Sequence, residues 1–344
     1  MASTMTLKTL RPLRRLVAWP ACTLALALMA GNAQAAINYC VYDPLGAQGD
    51  YFAMAKDYQL AARRWNVSLN LKPYNSETIA VEDFKAGQCD MVNMTGLRTR
   101  LFNQFTGTID APGAVEDYPE MRSVMGLMAS PKLANYMVSG QYEVTGIMPL
   151  GAAYTFVNDR HMNTIAQFAG KKIAVMGWDK TESIIAEQFG AQPVLSDITD
   201  MGGKFNNGVV DVLIAPTILY KPFELYKGLG DKGGIIRRAV LQVSMQILVR
   251  RDKFPAGFGQ QSREYYASIA DHAFGVIRNS ENEVESRHWM YMNRAERNTY
   301  YATVRAARVR LSKEGFYDKR MLNLLKRVRC KTYPDDSECS MGDE

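Results

Sequence analysis

Arg98 and Arg100 stand two residues apart in the segment T-G-L-R-T-R, which opens with Thr95 and follows an apolar run, residues 91–94, that reads as a strand. A guanidinium fork takes a carboxylate or phosphate in two parallel hydrogen bonds, so at a strand's carboxyl end either arginine can anchor an anion. On extended chain alternate residues face opposite ways, which would bring only one of them to a pocket. The competing reading has both in solvent or bridged to acids such as Asp110 and Glu116. A second pair, Trp178 and Asp179, lies just beyond the apolar run 173–176. The indole offers a stacking face and the carboxylate accepts from an amine or hydroxyl, unless Asp179 serves as the N-cap of the helix that follows. Asp43 begins the loop D-P-L-G-A-Q-G-D, which leads into a helix. Such a loop either presents backbone N–H groups to an anion or is a tight turn. Tyr154 and Thr217 complete the candidate ligand-binding set, although an aromatic on a strand more often packs in a core.

None of these residues forms a catalytic constellation. G-x-S-x-G, H-E-x-x-H and a redox C-x-x-C are missing from the sequence, and the stretch 170–216 carries no dinucleotide fingerprint. His161, His272 and His288 are scattered singly, without metal-ligand spacing. The expectation is a binding protein with no catalytic residue, no metal and no cofactor.

The candidate residues need strand tips beneath them, and the stretch 170–216 supplies these. It reads G-K-K-I-A-V-M-G-W-D-K, then F-G-A-Q-P-V, then K-F-N-N-G-V-V-D-V-L-I-A-P. Residues 181–189 are helix-like and closed by Gly190, 193–195 form a short run, and 209–215 are nearly all apolar, as in a parallel strand covered on both faces. In such a unit a ligand sits outside the carboxyl ends of the strands, here 176–179 and 215–217. Upstream, 37–42, 68–72 and 91–94 read as strands and 51–65 and 82–85 as helices, with residues 74–77 at the same ligand-facing level. Residues 142–149 running on into 151–156, and 238–250, read as two crossovers. Downstream, 261–276, 293–313 and 318–328 read as helices, the second with Tyr300, Val304, Ala307 and Leu311 on one face.

The order and spacing of the blocks in 170–216 resemble the periplasmic solute-binding proteins of TRAP (tripartite ATP-independent periplasmic) transporters. Weaker likeness extends over A-G-Q-C-D at 86–90 and K-F-P at 253–255. The resemblance implies an α/β, two-domain fold of the type II periplasmic-binding-protein kind, with hinge crossover strands. It also implies capture of a small ligand between the domains and delivery to membrane permease subunits. Two positions depart from the family pattern. Ala174 stands where an arginine is usual, and Ala215 where an asparagine is usual before the closing proline. Those side chains normally grip a substrate carboxylate, so Arg98 or Arg100 becomes the candidate replacement. The ligand is then an organic acid or a polar, amine-bearing compound.

The first 35 residues have the layout of a cleaved export signal: Lys8, Arg11, Arg14 and Arg15, an apolar stretch, then Ala33-Gln34-Ala35. The apolar stretch of about 14 residues falls short of the ~20 that span a bilayer. Export with cleavage near Ala35 into a periplasm is expected. The net charge of +6 falls to +2 once those four basic residues are removed (6 − 4). Together with the lack of any nucleic-acid-reading motif, this gives no reason to expect a nucleic-acid partner.

Four cysteines remain after the leader. Cys40 lies in the first strand and Cys89 opens a strand that should neighbour it, while Cys330 and Cys339 flank a polar loop. The pairs Cys40–Cys89 and Cys330–Cys339 are expected. The chain should divide into a first domain of 37–146 with 246–285, a second of 147–245 with 286–331, and a tail of 332–344. Residues 287–331 carry 13 basic and 3 acidic side chains. That bias would suit an acidic partner or anionic lipid, or simply a solvated helix face. An envelope sensor or interaction module on the same scaffold, no longer serving transport, is the alternative function.

Overall fold

The structure is a computed structural model that describes residues 1–2 and 36–342. The expected export signal therefore lies outside the described residues.

One mixed sheet runs through the molecule. Its strands are β1 (Ile37–Tyr42), β2 (Leu69–Tyr74), β3 (Met91–Thr95), β4 (Val138–Ser139), β5 (Tyr142–Val157), β6 (Lys172–Met176), β7 (Gln192–Ser196), β8 (Val212–Pro216), β9 (Gly234–Arg250) and β10 (Trp289–Met290). The spatial order is β2-β1-β3-β9-β5-β8-β6-β7, with β4 beside β5 and β10 beside β9. At one end β1 pairs in parallel with β2 and β3, and at the other β6 pairs in parallel with β7 and β8. Between them lie the two long antiparallel strands β5 and β9, of 16 and 17 residues. Strand β3 pairs only with residues 245–249 of β9, and β8 only with residues 153–157 of β5. The two central strands thus belong to one parallel group along half their length and to the other along the rest. Register shifts interrupt their ladder near Pro149, Gly151 and Tyr154, and Gly151 takes φ +125°, which disfavours any residue with a Cβ.

Helices cover both groups because their strands are apolar on both faces. The helix Asp50–Ala62 packs on β1 and β2, and Lys180–Gln188 packs on β6. The segment 95–100 is not extended. The Thr95 side chain caps a short helix, Gly96–Thr99, by accepting from the Arg98 N–H. That turn removes the alternation expected of extended chain, and Arg98 and Arg100 both end up buried. The expected single helix over 261–276 is two helices, Phe258–Ser268 and Ala270–Asn282, broken at Ile269. The helix expected from residue 82 begins at Glu77, where Ser76 supplies the cap. The last two long helices are Arg294–Lys313, which packs on Lys180–Gln188, and Lys319–Thr332, which packs on Tyr118–Met128.

Disulfides join Cys40 to Cys89 and Cys330 to Cys339. The second pins a C-terminal turn whose Glu338 is buried and accepts from Arg308 and Arg329, with Arg305 beside it. Part of the basic bias of 287–331 is therefore internal counter-charge: Arg308 and Arg329 are each 2 % exposed.

Candidate functional site: a cleft between two groups of strand tips

The tips of β1 and β3 and the tips of β6 and β8 face one another across a cavity of about 120 Å³. Its walls come from both parallel groups and from the crossovers between them, including Tyr42 and Thr95 on one side, Met176 and Trp178 on the other, and Leu150 and Val243 at the back. Most of the lining is aliphatic. The first face of the helix Lys180–Gln188 contributes Thr181, Glu182 and Ile185.

Polar side chains tie the rim shut. Arg100 Nη2 donates to Asp179 Oδ2 at 2.6 Å and to Thr181 Oγ1 at 3.2 Å. Its guanidinium also lies 5.2 Å from the Tyr317 ring. Arg98 pairs with Glu77 at 3.3 Å, donates to Thr78 Oγ1 at 2.9 Å and lies over the Trp178 ring at 4.0 Å. Thr78 donates in turn to Asp197 at 2.8 Å. Arg98, Arg100, Glu77 and Thr78 come from the β1–β3 side, and Trp178, Asp179 and Asp197 from the β6–β8 side. Each arginine therefore reaches across the gap, and each is already engaged by a carboxylate of the chain itself.

Asp179 both pairs with Arg100 and caps its helix, accepting from the Thr181 N–H at 2.9 Å. The N-cap reading of Asp179 is thus the one the structure displays, while its other oxygen goes to Arg100. Thr95 lines the cavity, and Trp178 lines it while carrying Arg98 on its ring. Arg98, Arg100 and Asp179 stand at the rim, outside the lining, and the remaining three candidates are at neither. Asp43 accepts from the N–H groups of Leu45, Tyr51 and Phe52, so the loop after β1 is closed by its own aspartate. Tyr154 donates to Glu281, and Thr217 shares a hydrogen bond with Ser280, so both attach to the helix Ala270–Asn282.

Three acids in the lining, Glu77, Asp110 and Glu182, were not among the candidate residues. Glu77 accepts from the Thr95 N–H at 2.6 Å. Asp110 is fully buried and accepts from the Ser244 hydroxyl at 2.6 Å and its N–H at 3.0 Å. Burial pushes its carboxyl up to about 7 against the pull of these hydrogen bonds and of Arg100. Glu182 accepts from the Met176 N–H at 2.7 Å. Burial first, then the charge of Asp179, raise its carboxyl above the ordinary range. The apolar pattern of residues 181–189 marked the helix, but nothing in it marked Glu182 as inward-facing. Among the described residues no group of side chains could hold a metal ion.

A cleft closed by strand tips, between two α/β halves joined by long crossovers, is the architecture of a periplasmic-type solute-binding protein. Solved structures share it. A TRAP periplasmic solute-binding protein from Ralstonia eutropha H16 with bound (S)-2-acetolactate is 12% identical, with TM-score 0.71 over 86% of this chain and 98% of that one. One from Shewanella oneidensis with bound succinate is 14% identical, with TM-score 0.65 over 86% and 99%. One from Desulfovibrio salexigens with bound orotic acid is 14% identical, with TM-score 0.67 over 86% and 98%. By sequence, residues 59–344 match the family described as solute-binding protein AdeT 1/2, and the chain belongs to that family. It is similar to the probable solute-binding protein AdeT1 of Acinetobacter baumannii, at 45% identity over 304 residues, 88% of this chain and 100% of that one. It is also similar to the probable solute-binding protein AdeT2 of the same organism, at 24% identity over 236 residues, 69% and 99% respectively.

Proposed function

We propose that this protein binds one small organic molecule in the cavity between its two halves and hands it to permease subunits in a membrane. The carrying observation is that the contacts of Arg100 with Asp179, of Arg98 with the Trp178 ring and of Thr78 with Asp197 all cross from one half to the other at the rim of the cavity. A rim built of cross-gap pairs can open and reclose as a unit, with bending taken up where β5 and β9 change partners. On this reading the halves are 37–146 with 246–285, and 147–245 with 286–331. The packing of Lys319–Thr332 on Tyr118–Met128 adds a C-terminal strap between them. The ligand-contacting residues are Thr95 and Trp178, with Arg98, Arg100 and Asp179 holding the rim. The similar structures carrying acetolactate, succinate and orotate support a small organic ligand, and none of the relatives is described as an enzyme.

Export fits this role. Among the described residues no helix is long and apolar enough to cross a membrane. We read residues 1–35 as a leader removed near Ala35, and N-terminal sequencing of the protein from a periplasmic fraction tests this. The binding reading is tested by solution scattering with and without a panel of small acids, amines and sugars. A ligand should raise the melting temperature, because it binds only the folded form, and should reduce the radius of gyration. A panel that moves neither would count against it.

A further inference from the structure

Within that binding role, we propose that the ligand has an apolar body and one protonated amine, that the ammonium sits against Glu182, and that carboxylates are rejected. The inference rests on capture in this cavity and names the class of molecule captured.

The cavity holds no positive charge for an acid to meet. Among the described residues no lysine, arginine or histidine lines it. The nearest guanidinium groups, those of Arg98 and Arg100, are paired in charge with Glu77 and Asp179, and both arginine side chains are at least nine-tenths buried. Arg100 Nη1 has no hydrogen-bond partner of its own among the described residues. An incoming carboxylate would have to displace a carboxylate already in place, with no gain in charge neutralisation, and would lose its own hydration.

The group on offer is a carboxyl, which becomes a carboxylate when a bound cation takes the place of its proton. Glu182 lines the cavity, is partly exposed, and has no ion-pair partner among the described residues. One of its oxygens is held by the Met176 N–H, which fixes the carboxyl at the mouth of β6. The groups around it are Asp179 and Glu77, which oppose a negative charge there, and Arg100, which favours one but is already paired with Asp179. The upward displacement of its titration has the same cause: a carboxyl out of water with more negative than positive neighbours. A ligand ammonium is the counter-charge that this arrangement lacks. The remaining wall, with Ile173, Val175, Ile185, Met201, Ile214 and Leu241, offers only dispersion and apolar burial. Sugars and dicarboxylates would leave their polar groups without partners against such a wall.

Isothermal titration with three matched probes tests the assignment: 2-phenylethylamine, 2-phenylethanol and phenylacetate, which differ only in the end group. The expected result is binding of the amine at least tenfold tighter than the alcohol, with phenylacetate weaker still. Glu182→Gln should lower the amine affinity at least tenfold and leave the alcohol affinity unchanged, which also reports that the variant is folded. Phenylacetate binding as tightly as the amine overturns the proposal, as does an amine affinity that Glu182→Gln leaves within twofold. Succinate, orotate and galacturonate are titrated alongside. If these bind and the amine does not, the capture role stands and the ligand class assigned here falls. Binding by neither set removes both.

Discussion

Arg100 and Asp179 are bound to each other across the cleft, Nη2 to Oδ2 at 2.6 Å, with side chains 9 % and 2 % exposed. A buried pair of this kind couples its partners, because removing one leaves the other charged and unmatched. Asp179→Leu should lower the unfolding free energy by about 3 kcal/mol, and Arg100→Met, which leaves a buried carboxylate unmatched, by a similar amount. The double variant should be more stable than the sum of the single losses predicts, with a coupling of about 1 kcal/mol or more. Urea denaturation of the four proteins measures the cycle. Additive losses would show the contact to be incidental to the closed rim.

A second buried charge holds the C-terminus. Glu338 lies among Arg305, Arg308 and Arg329 under the Cys330–Cys339 disulfide. Burial pulls its carboxyl up, but hydrogen bonding to Arg329 and the charges of Arg329, Arg308 and Arg305 outweigh this and leave it below the usual range. A lowered carboxylate stabilises the fold above its unfolded value, about 4.3, and the contribution is lost as pH falls through the lower folded value. Glu338→Gln should cost about 3 kcal/mol near neutrality and should reduce the loss of stability below pH 4. Replacing both cysteines by serine should cost about 2–3 kcal/mol for a loop this short. Guanidinium titrations from pH 3 to 7 distinguish the two effects.

The stretch 170–216 was readable because each of its elements advertises itself locally: a glycine after the helix, apolar runs for the strands, and a proline at the close of β8. The return crossover was readable from its alternation of apolar and polar residues over 238–250, among them Val240, Gln242, Ser244, Gln246 and Leu248. What the sequence did not carry was pairing. Arg98 and Arg100 looked like free anion anchors because Glu77 and Asp179, 21 residues before one and 79 after the other, are brought to them only by the closed tertiary structure. The helix start at Gly96 was hidden because its cap, Thr95, is also the last residue of a strand. Of the two readings of the loop after Asp43, the tight turn holds: the Asp43 carboxylate takes the N–H groups that an anion would have used.

Gly151 lies where β5 passes from one half to the other, at a register shift and at φ +125°. An added Cβ would find room, its nearest neighbours being Ile277 and Pro216 side-chain atoms at 3.5 Å. The obstacle is the backbone angle, so Gly151→Ala should cost about 1–3 kcal/mol through strain. Because the strain falls on the crossover, the variant should also alter the change in radius of gyration on ligand addition. Scattering paired with thermal unfolding checks this. A variant with wild-type stability and wild-type closure would show that the bend lies elsewhere on β5 or β9.

Asp110 gives the opposite pH signature from Glu338. It is buried against Ser244 and titrates at about 7, far above an unfolded aspartate near 3.9. Between those values the folded protein keeps a proton that the unfolded chain has lost. Stability contributed by the group is thus complete below the unfolded value and falls as pH rises through the folded one. Glu120, which burial pushes to about 7, and Glu182, also raised by burial, act in the same direction. Without ligand, the unfolding free energy should therefore decline from pH 5 to pH 8, by at most about 1.4 kcal/mol per pH unit for each group, and the unfolding midpoint should fall with it. Asp110→Asn should flatten part of that decline, since an amide binds no proton in either state, while its carbonyl can still accept from Ser244. Calorimetry at half-unit steps decides the matter. A midpoint that rises over this range would mean that the cavity acids are ionised and matched by positive charge, and the account of a cleft short of cations would fail with it.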